Sequence, residues 1–156
     1  MGTRSTFRVI EKGTYQGKEW KNNLVLMYVQ FDGYPEGHPQ DTAKWLAGGK
    51  VVNGISLSET APLVFNGAGC LAGQLVAKYK QGAGGVYICP ISHRGKCGEN
   101  YVYDIIVDSD TKEIEFVAYD NQTGWGEKSR VKTKELFRGT PADYVKWVNE
   151  VYATQD

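Results

Sequence analysis

Four side chains that can exchange protons or bind a metal ion lie within ten residues of one another: Asp32, Glu36, His38 and Asp41. Carboxylates beside an imidazole can act as general acid and base, or supply oxygen and nitrogen ligands. The glycines and prolines among them restrain the backbone, and also suit an ordinary surface turn. We interpret the segment as a binding loop in which Asp32, Tyr34 and His38 contact a ligand, with no catalytic residue.

A second candidate site is the start of a predicted helix, at Asn66, Gly67 and Gly69. Small residues let a ligand approach the free N–H groups of a first helical turn, and the helix dipole favours an anion there. The segment lacks the Gly-Lys-Ser/Thr of a phosphate-binding P-loop. Close packing of the helix is the alternative role of these glycines.

The third candidate is the segment from Cys89 to Cys97, in which Cys89, His93 and Cys97 are spaced four residues apart. Three such ligands could begin a zinc site, but no Cys-x-x-Cys pair is present. A buried cysteine otherwise behaves as a small apolar residue. We therefore predict no metal and no cofactor, and interpret His93 and Arg94, beside Lys96, as a positively charged edge that recognises a phosphate or a carboxylate.

The predicted strands and helices of the chain must position these groups. The predicted loop of Asp32 and His38 joins an apolar strand to a helix whose first residue is Pro39. A β-hairpin with its turn at residues 109–112 follows the cysteine segment, and Thr140 before Pro141 predicts the cap of a last helix. The predicted strands are Thr6–Ile10, Leu24–Phe31, Val86–Pro90, Tyr101–Asp108 and Glu113–Tyr119, and the predicted helices begin at Pro39, Asn66 and Pro141. Residues 50–65 are interpreted as irregular and 130–137 as ambiguous. The pattern predicts an α+β fold with a mainly antiparallel sheet and about three helices.

Composition limits the classes of function. A chain of 156 residues fits one domain, so residues 1–156 are expected to form a single globular unit. Eighteen basic and eighteen acidic side chains balance, which does not favour nucleic acid as a partner. No apolar run is long enough to span a membrane, and the N-terminal residues lack the apolar core of a signal peptide. We expect a cytoplasmic protein whose three cysteines are free thiols.

The chain resembles a family of small, mostly uncharacterised bacteriophage and prophage proteins. The matching motifs cover roughly its first two-thirds: Thr3-Arg4-Ser5, the segment from Tyr28 to His38, Val52-Asn53-Gly54-Ile55, and the segment from Phe65 to Ala72 with Gly85-Val86-Tyr87. The resemblance implies a phage origin, and hence the cytoplasm of a host cell. It implies no enzyme class: small phage proteins are often structural, regulatory or counter-defence factors, and some counter-defence proteins sequester nucleotide signals.

Three functions are compatible with these features. The first is a binding module that captures a small anionic ligand, of the nucleotide kind, without turnover, using Asp32, Tyr34, His38, Asn66, Gly67, Gly69, His93 and Arg94. The second is a phosphoester hydrolase or metal-dependent enzyme that uses Asp32, Glu36 and His38. The third is an inhibitor that contacts a host protein directly. We favour the first, and a homo-oligomer is compatible with all three.

Overall fold

The fold is described from a computed structural model, which covers residues 2–54, 63–124 and 129–152. Its strands are β1 (Ser5–Tyr15), β2 (Lys18–Val29), β3 (Lys50–Val52), β4 (Val64–Asn66), β5 (Val86–Cys89), β6 (Tyr101–Asp108), β7 (Ile114–Asn121) and β8 (Thr133–Gly139). Its helices are α1 (His38–Ala47), α2 (Gly67–Tyr79) and α3 (Pro141–Tyr152), and a short 3-10 turn spans Ile91–His93.

Six strands form the main sheet, in the order β5-β2-β1-β6-β7-β8. The neighbours β1 and β6 run parallel, with Ser5 opposite Tyr101, and every other neighbouring pair in this sheet is antiparallel. The α+β fold class predicted from the sequence is confirmed, as is the hairpin of β6 and β7. Because β1 lies parallel to β6, their first residues meet at one end of the sheet, beside the last residues of β7.

The first two strands are longer than the sequence predicted. The prediction ended the first strand at Ile10, yet β1 continues to Tyr15 and pairs with the polar first half of β2. Gly13 lies against the ring of Trp20, where a Cβ would come within 2.6 Å of Trp20 Cζ2. The turn places Gln16 at φ 51° and Gly17 at φ 77°. Two consecutive positive φ angles suit a tight hairpin turn, for which Gln-Gly is a weak sequence signal.

Two further segments differ from prediction. Residues 50–52 and 64–66, interpreted as irregular, form a two-stranded parallel sheet of β3 and β4. The ambiguous segment 130–137 contributes to β8, which extends the main sheet beyond β7. Strands as short as β3 and β4, or as polar as β8, are defined by their partners rather than by their own pattern. The interpretation of residues 55–62 as irregular and the loop around Trp125 lie outside the described residues.

The three helices pack on one face of the main sheet and enclose the larger core. Alternate residues of the central strands, including Phe7, Tyr103 and Phe116, face this core. A smaller cluster of Ile10, Ile106 and Val117 lies on alternate positions of the same strands and so marks the opposite face. The predicted cap of α3 is confirmed, since Thr140 Oγ1 accepts a hydrogen bond from the Asp143 N–H at 3.1 Å. In the described part of the chain, no helix has the length and apolar character needed to cross a membrane.

Candidate functional site

The loop between β2 and α1 is held in place by two buried tyrosines. The Tyr103 hydroxyl donates to the carbonyl of Gly33 at 2.8 Å, and the Tyr144 hydroxyl donates to that of Pro35 at 2.7 Å. Gly33 has no room for a side chain, because a Cβ there would lie 2.7 Å from Ser5 Cβ. Gly37 is equally restricted, since its Cβ would lie 2.5 Å from the carbonyl oxygen of Asp32. The loop is therefore a rigid support.

His38 belongs to the packed interior of this support. Its ring centroid lies 5.1 Å from that of Phe7 and 4.0 Å from that of Tyr79, and neither ring nitrogen has a hydrogen-bond partner among the described residues. Burial lowers the pKa of His38 to about 4, and the nearby carboxylates of Asp41 and Asp32 only partly oppose this. At neutral pH the imidazole is thus uncharged and enclosed, which does not suit a general base or a contact to an anion.

The acidic residues near His38 have separate partners. Asp41 accepts a hydrogen bond from the Tyr79 hydroxyl at 2.6 Å on the helical side of the loop. The exposed Asp32 has φ 57° and uses its carbonyl to accept from the His38 N–H at 2.7 Å. Glu36 acts on Tyr101, Tyr144 and Tyr152 and not on His38, so the three residues Asp32, Glu36 and His38 do not form one acid–base group.

A cavity of about 920 Å³ opens at the end of the sheet where β1 and β6 begin and β7 ends. Its walls are Thr3, Tyr34, residues of the loop that precedes β6, and the last residues of β7 with those that follow them. Small-molecule sites commonly have volumes of about 300–1,000 Å³. Of the residues predicted as ligand contacts, Tyr34 and His93 line this cavity together.

The loop that precedes β6 is anchored by Glu99, whose carboxylate is buried. One oxygen accepts from the Thr6 hydroxyl at 2.8 Å and the Gly95 N–H at 3.1 Å, and the other from the Cys97 N–H at 2.9 Å. The Asn121 side-chain amide donates to the carbonyls of Gly95 and Glu99, at 3.1 and 2.8 Å. A carboxylate surrounded by donors in this way fixes a loop firmly. The cavity wall is thus preformed.

Arg94, predicted as a ligand contact, points to the sheet instead. Its guanidinium binds the buried carboxylate of Asp104 through Nε at 3.1 Å and Nη2 at 2.7 Å. Arg8 binds the same carboxylate through Nε and Nη2, each at 2.9 Å. The guanidinium of Arg94 also lies over the ring of Tyr119. Bidentate pairs of this kind are geometrically specific. Arg94 therefore attaches the loop to the sheet and does not line the cavity.

Tyr101 and Asp120 form the wall at the strand ends. They are direct partners in the register of β6 and β7, so their side chains lie on the same face of the sheet. Burial raises the pKa of the Tyr101 hydroxyl, and the charges of Asp120 and Glu36 raise it further. The same two carboxylates contribute, after burial, to the raised pKa of Tyr152. Tyr101 and Asp120 thus contribute an aromatic ring and a carboxylate to the lining.

Two basic residues, His93 and Lys96, also line the cavity. His93 and Lys96 are exposed, and their side chains form no hydrogen bond or ion pair within residues 2–54, 63–124 and 129–152. Tyr34 is 37% exposed and adds a second aromatic ring to the lining. The lining of the cavity therefore combines two aromatic rings, the carboxylate of Asp120 and the basic side chains of His93 and Lys96. It can accommodate a ligand with a planar ring and an anionic group.

The residues at the start of α2 lie elsewhere. Asn66 Oδ1 accepts a hydrogen bond from the Gly54 N–H at 2.8 Å, which links the last residue of β4 to the chain that follows β3. Gly67 has φ 82°, and Gly69 has open space around it. None of the three lines the cavity.

The cysteine segment forms no cluster of metal ligands. Cys70, Cys89 and Cys97 are free thiols, and no group of three or more His, Cys, Asp or Glu in the described ranges is arranged to hold a metal ion. The Cys97 thiol donates a hydrogen bond to the His93 carbonyl, with Sγ 3.2 Å from the oxygen. Burial, followed by the charge of Glu99, raises the pKa of the Cys97 thiol to about 12. The thiol is accordingly a poor nucleophile at neutral pH.

Sequence reasoning missed Glu99, Tyr101 and Asp120 as residues of the site. The signal for two of them was present, because counting back along the hairpin from its turn at residues 109–112 pairs Tyr101 with Asp120. No comparable local pattern marks Glu99, whose donors come from Thr6 and from the loop itself.

Comparison of the chain with protein-family models, with curated proteins and with solved structures found no match.

Proposed function

We propose that the protein binds a small anionic ligand of the nucleotide class in this cavity and does not chemically change it. The observation that supports the proposal is that one cavity is lined by two aromatic rings, Tyr34 and Tyr101, together with the basic residues His93 and Lys96. Aromatic side chains stack on nucleobases, and each stacked base contributes about 1–3 kcal/mol. Lys96 and His93 can bind a phosphate group, since both are free of ion pairs among the described residues.

Binding without turnover accords with the buried and unpaired state of His38 and with the poor nucleophile at Cys97. A ligand held intact is withdrawn from the molecules that would otherwise respond to it. In the phage setting that the sequence resemblance implies, the proposed role is sequestration of a nucleotide signal of host defence, in the cytoplasm of the host cell.

Calorimetry of the purified protein against a panel of ribonucleoside monophosphates and cyclic dinucleotides tests this proposal. At least one nucleotide should bind, and chromatography of the mixture should recover it unchanged. Tyr34→Ala should weaken binding by about tenfold or more, because the stacking surface is removed. Tyr15→Ala is the matched control, since Tyr15 is 71% exposed at the tip of the hairpin of β1 and β2. An absence of binding across the panel would refute the proposal, and conversion of a nucleotide would replace it by an enzymatic function.

A further inference from the structure

The carboxylate of Asp120 retains most of its capacity to accept hydrogen bonds. Its contact with the described residues is a long one, 3.4 Å from Gln122 Nε2 to Oδ2. It lies in the cavity wall beside the ring of Tyr101, its direct partner in the neighbouring strand. A base stacked on that ring would therefore present an edge to the carboxylate.

A carboxylate only accepts hydrogen bonds, and its two oxygens lie side by side. Guanine is the common base whose Watson–Crick edge offers two adjacent donors, the N1–H and the N2 amino group. Adenine and cytosine place one amino donor beside an acceptor nitrogen, and uracil places its single N–H between two carbonyl oxygens. A base with an acceptor at this position would leave a carboxylate oxygen facing another lone pair, which disfavours binding.

The remaining charges orient such a ligand in one direction. Asp120 lies beside the ring of Tyr101 and disfavours a phosphate at that ring, even though Lys134 of β8 is its direct partner on the other side. Lys96 and His93 are the free basic groups of the lining, and they attract the phosphate. The base is thereby directed to the strand ends and the phosphate to the loop that precedes β6.

We propose that the cavity selects a guanine nucleotide, with Asp120 as the residue that determines the base. This selection rests on the proposed function, because it presupposes that the cavity binds nucleotides.

Titration calorimetry with the 5′-monophosphates of guanosine, adenosine, cytidine and uridine tests the selection in the unaltered protein. The guanosine nucleotide should bind at least about tenfold more tightly than the other three, as expected for a bidentate base contact. Inosine 5′-monophosphate, which keeps the N1–H but lacks the N2 amino group, should bind about tenfold more weakly than the guanosine nucleotide.

Asp120→Asn reverses part of the hydrogen-bonding pattern and provides the second test. The variant should lose at least about tenfold in affinity for the guanosine nucleotide and gain affinity for xanthosine 5′-monophosphate, whose O2 carbonyl can accept from the new amide. Glu113→Gln is the matched control, because Glu113 lies beyond the far end of β6 and should leave all affinities unchanged.

The outcomes separate the two proposals. If no nucleotide binds, both are refuted. If the four monophosphates bind equally, or if Asp120→Asn weakens all of them alike, the selection of guanine is refuted while nucleotide binding stands. A preference for guanosine that is lost in the inosine nucleotide and redirected in Asp120→Asn supports the selection.

Discussion

The loop of residues 31–37 and the loop of residues 90–100 border the same cavity but are held by different chemistry. The first is fixed by neutral contacts, in which the hydroxyls of Tyr103 and Tyr144 bind its carbonyls. The second is fixed by charge, through the buried carboxylate of Glu99 and the paired guanidinium of Arg94. The difference shows that a loop rich in polar side chains need not supply a site with them: its carbonyls are held by tyrosines from β6 and α3, and most residues that line the cavity come from other segments.

Removal of the charged anchor should have the largest effect. Glu99→Ala leaves the Thr6 hydroxyl and the N–H groups of Gly95 and Cys97 without their acceptor. Because buried donors without partners are costly, the free energy of unfolding should fall by about 3–5 kcal/mol, measured by chemical denaturation. Glu113→Gln should stay within about 0.5 kcal/mol of the unaltered protein. A loss as small as that of the control would mean that the loop holds its shape without Glu99.

The first loop should make stability depend on pH through His38. Its pKa is about 4 in the folded protein and 6.5 when unfolded, so the unfolded chain binds the proton more readily between these values. The contribution of His38 to stability is therefore complete above about pH 6.5 and is lost as the pH falls toward 4, by about 3 kcal/mol at most.

Denaturation across this pH range should show a shallower dependence for His38→Phe than for the unaltered protein. His93→Phe is the matched control, since His93 is the other histidine of the chain and is exposed. Equal slopes for His38→Phe and the unaltered protein would show that His38 is protonated as easily in the folded as in the unfolded state.

The neutral anchors should each contribute less than Glu99. Tyr144→Phe removes the hydroxyl bound to the Pro35 carbonyl and leaves the ring packed among Phe116, Phe137 and Trp147. The expected loss is about 1–2 kcal/mol in the free energy of unfolding, since one buried carbonyl loses its donor. Tyr15→Phe, which removes an exposed hydroxyl, should change nothing measurable. If Tyr144→Phe were as harmful as Glu99→Ala, the contrast between the two loops would not hold.

The smallest effects are expected at two basic residues of the second loop, Lys96 and Arg94. Lys96→Ala should weaken nucleotide binding by about tenfold and leave stability almost unchanged, because its ammonium group lines the cavity. Arg94→Ala should do the reverse, with a loss of about 1 kcal/mol in stability, since Asp104 keeps its pair with Arg8. Calorimetry and denaturation of both variants test this, with Lys44→Ala on α1 as the control. If both variants lost the same affinity for the nucleotide, Arg94 would have to contact the ligand.

Much of the fold follows from local sequence patterns, and the strands that were not predicted have an identifiable cause. The α+β class, the hairpin of β6 and β7 and the cap at Thr140 were predictable because apolar periodicity and capping are local. The polar half of β2 and the strand β8 were not, since their strand conformation depends on a neighbour with which they pair.

The candidate site was less predictable. Tyr34 and His93 were identified from residue type and loop context, and the structure brings them to one cavity. Asp120 and Glu99 come from separate segments, and only pairing of the strands brings them there.

The positions at which the backbone bends, and the side chains that could form a site, follow from the sequence. At Gly33 and Gly37 the absence of a Cβ permits close approaches that other residues would block. Which polar side chains bind other residues of the protein, and which are left to line the cavity, depends on the tertiary structure. The reason is that burial and hydrogen-bond partners come from residues distant in the chain. That is why His38 lies between two rings, Arg94 binds Asp104, and Lys96 and Asp120 face the cavity.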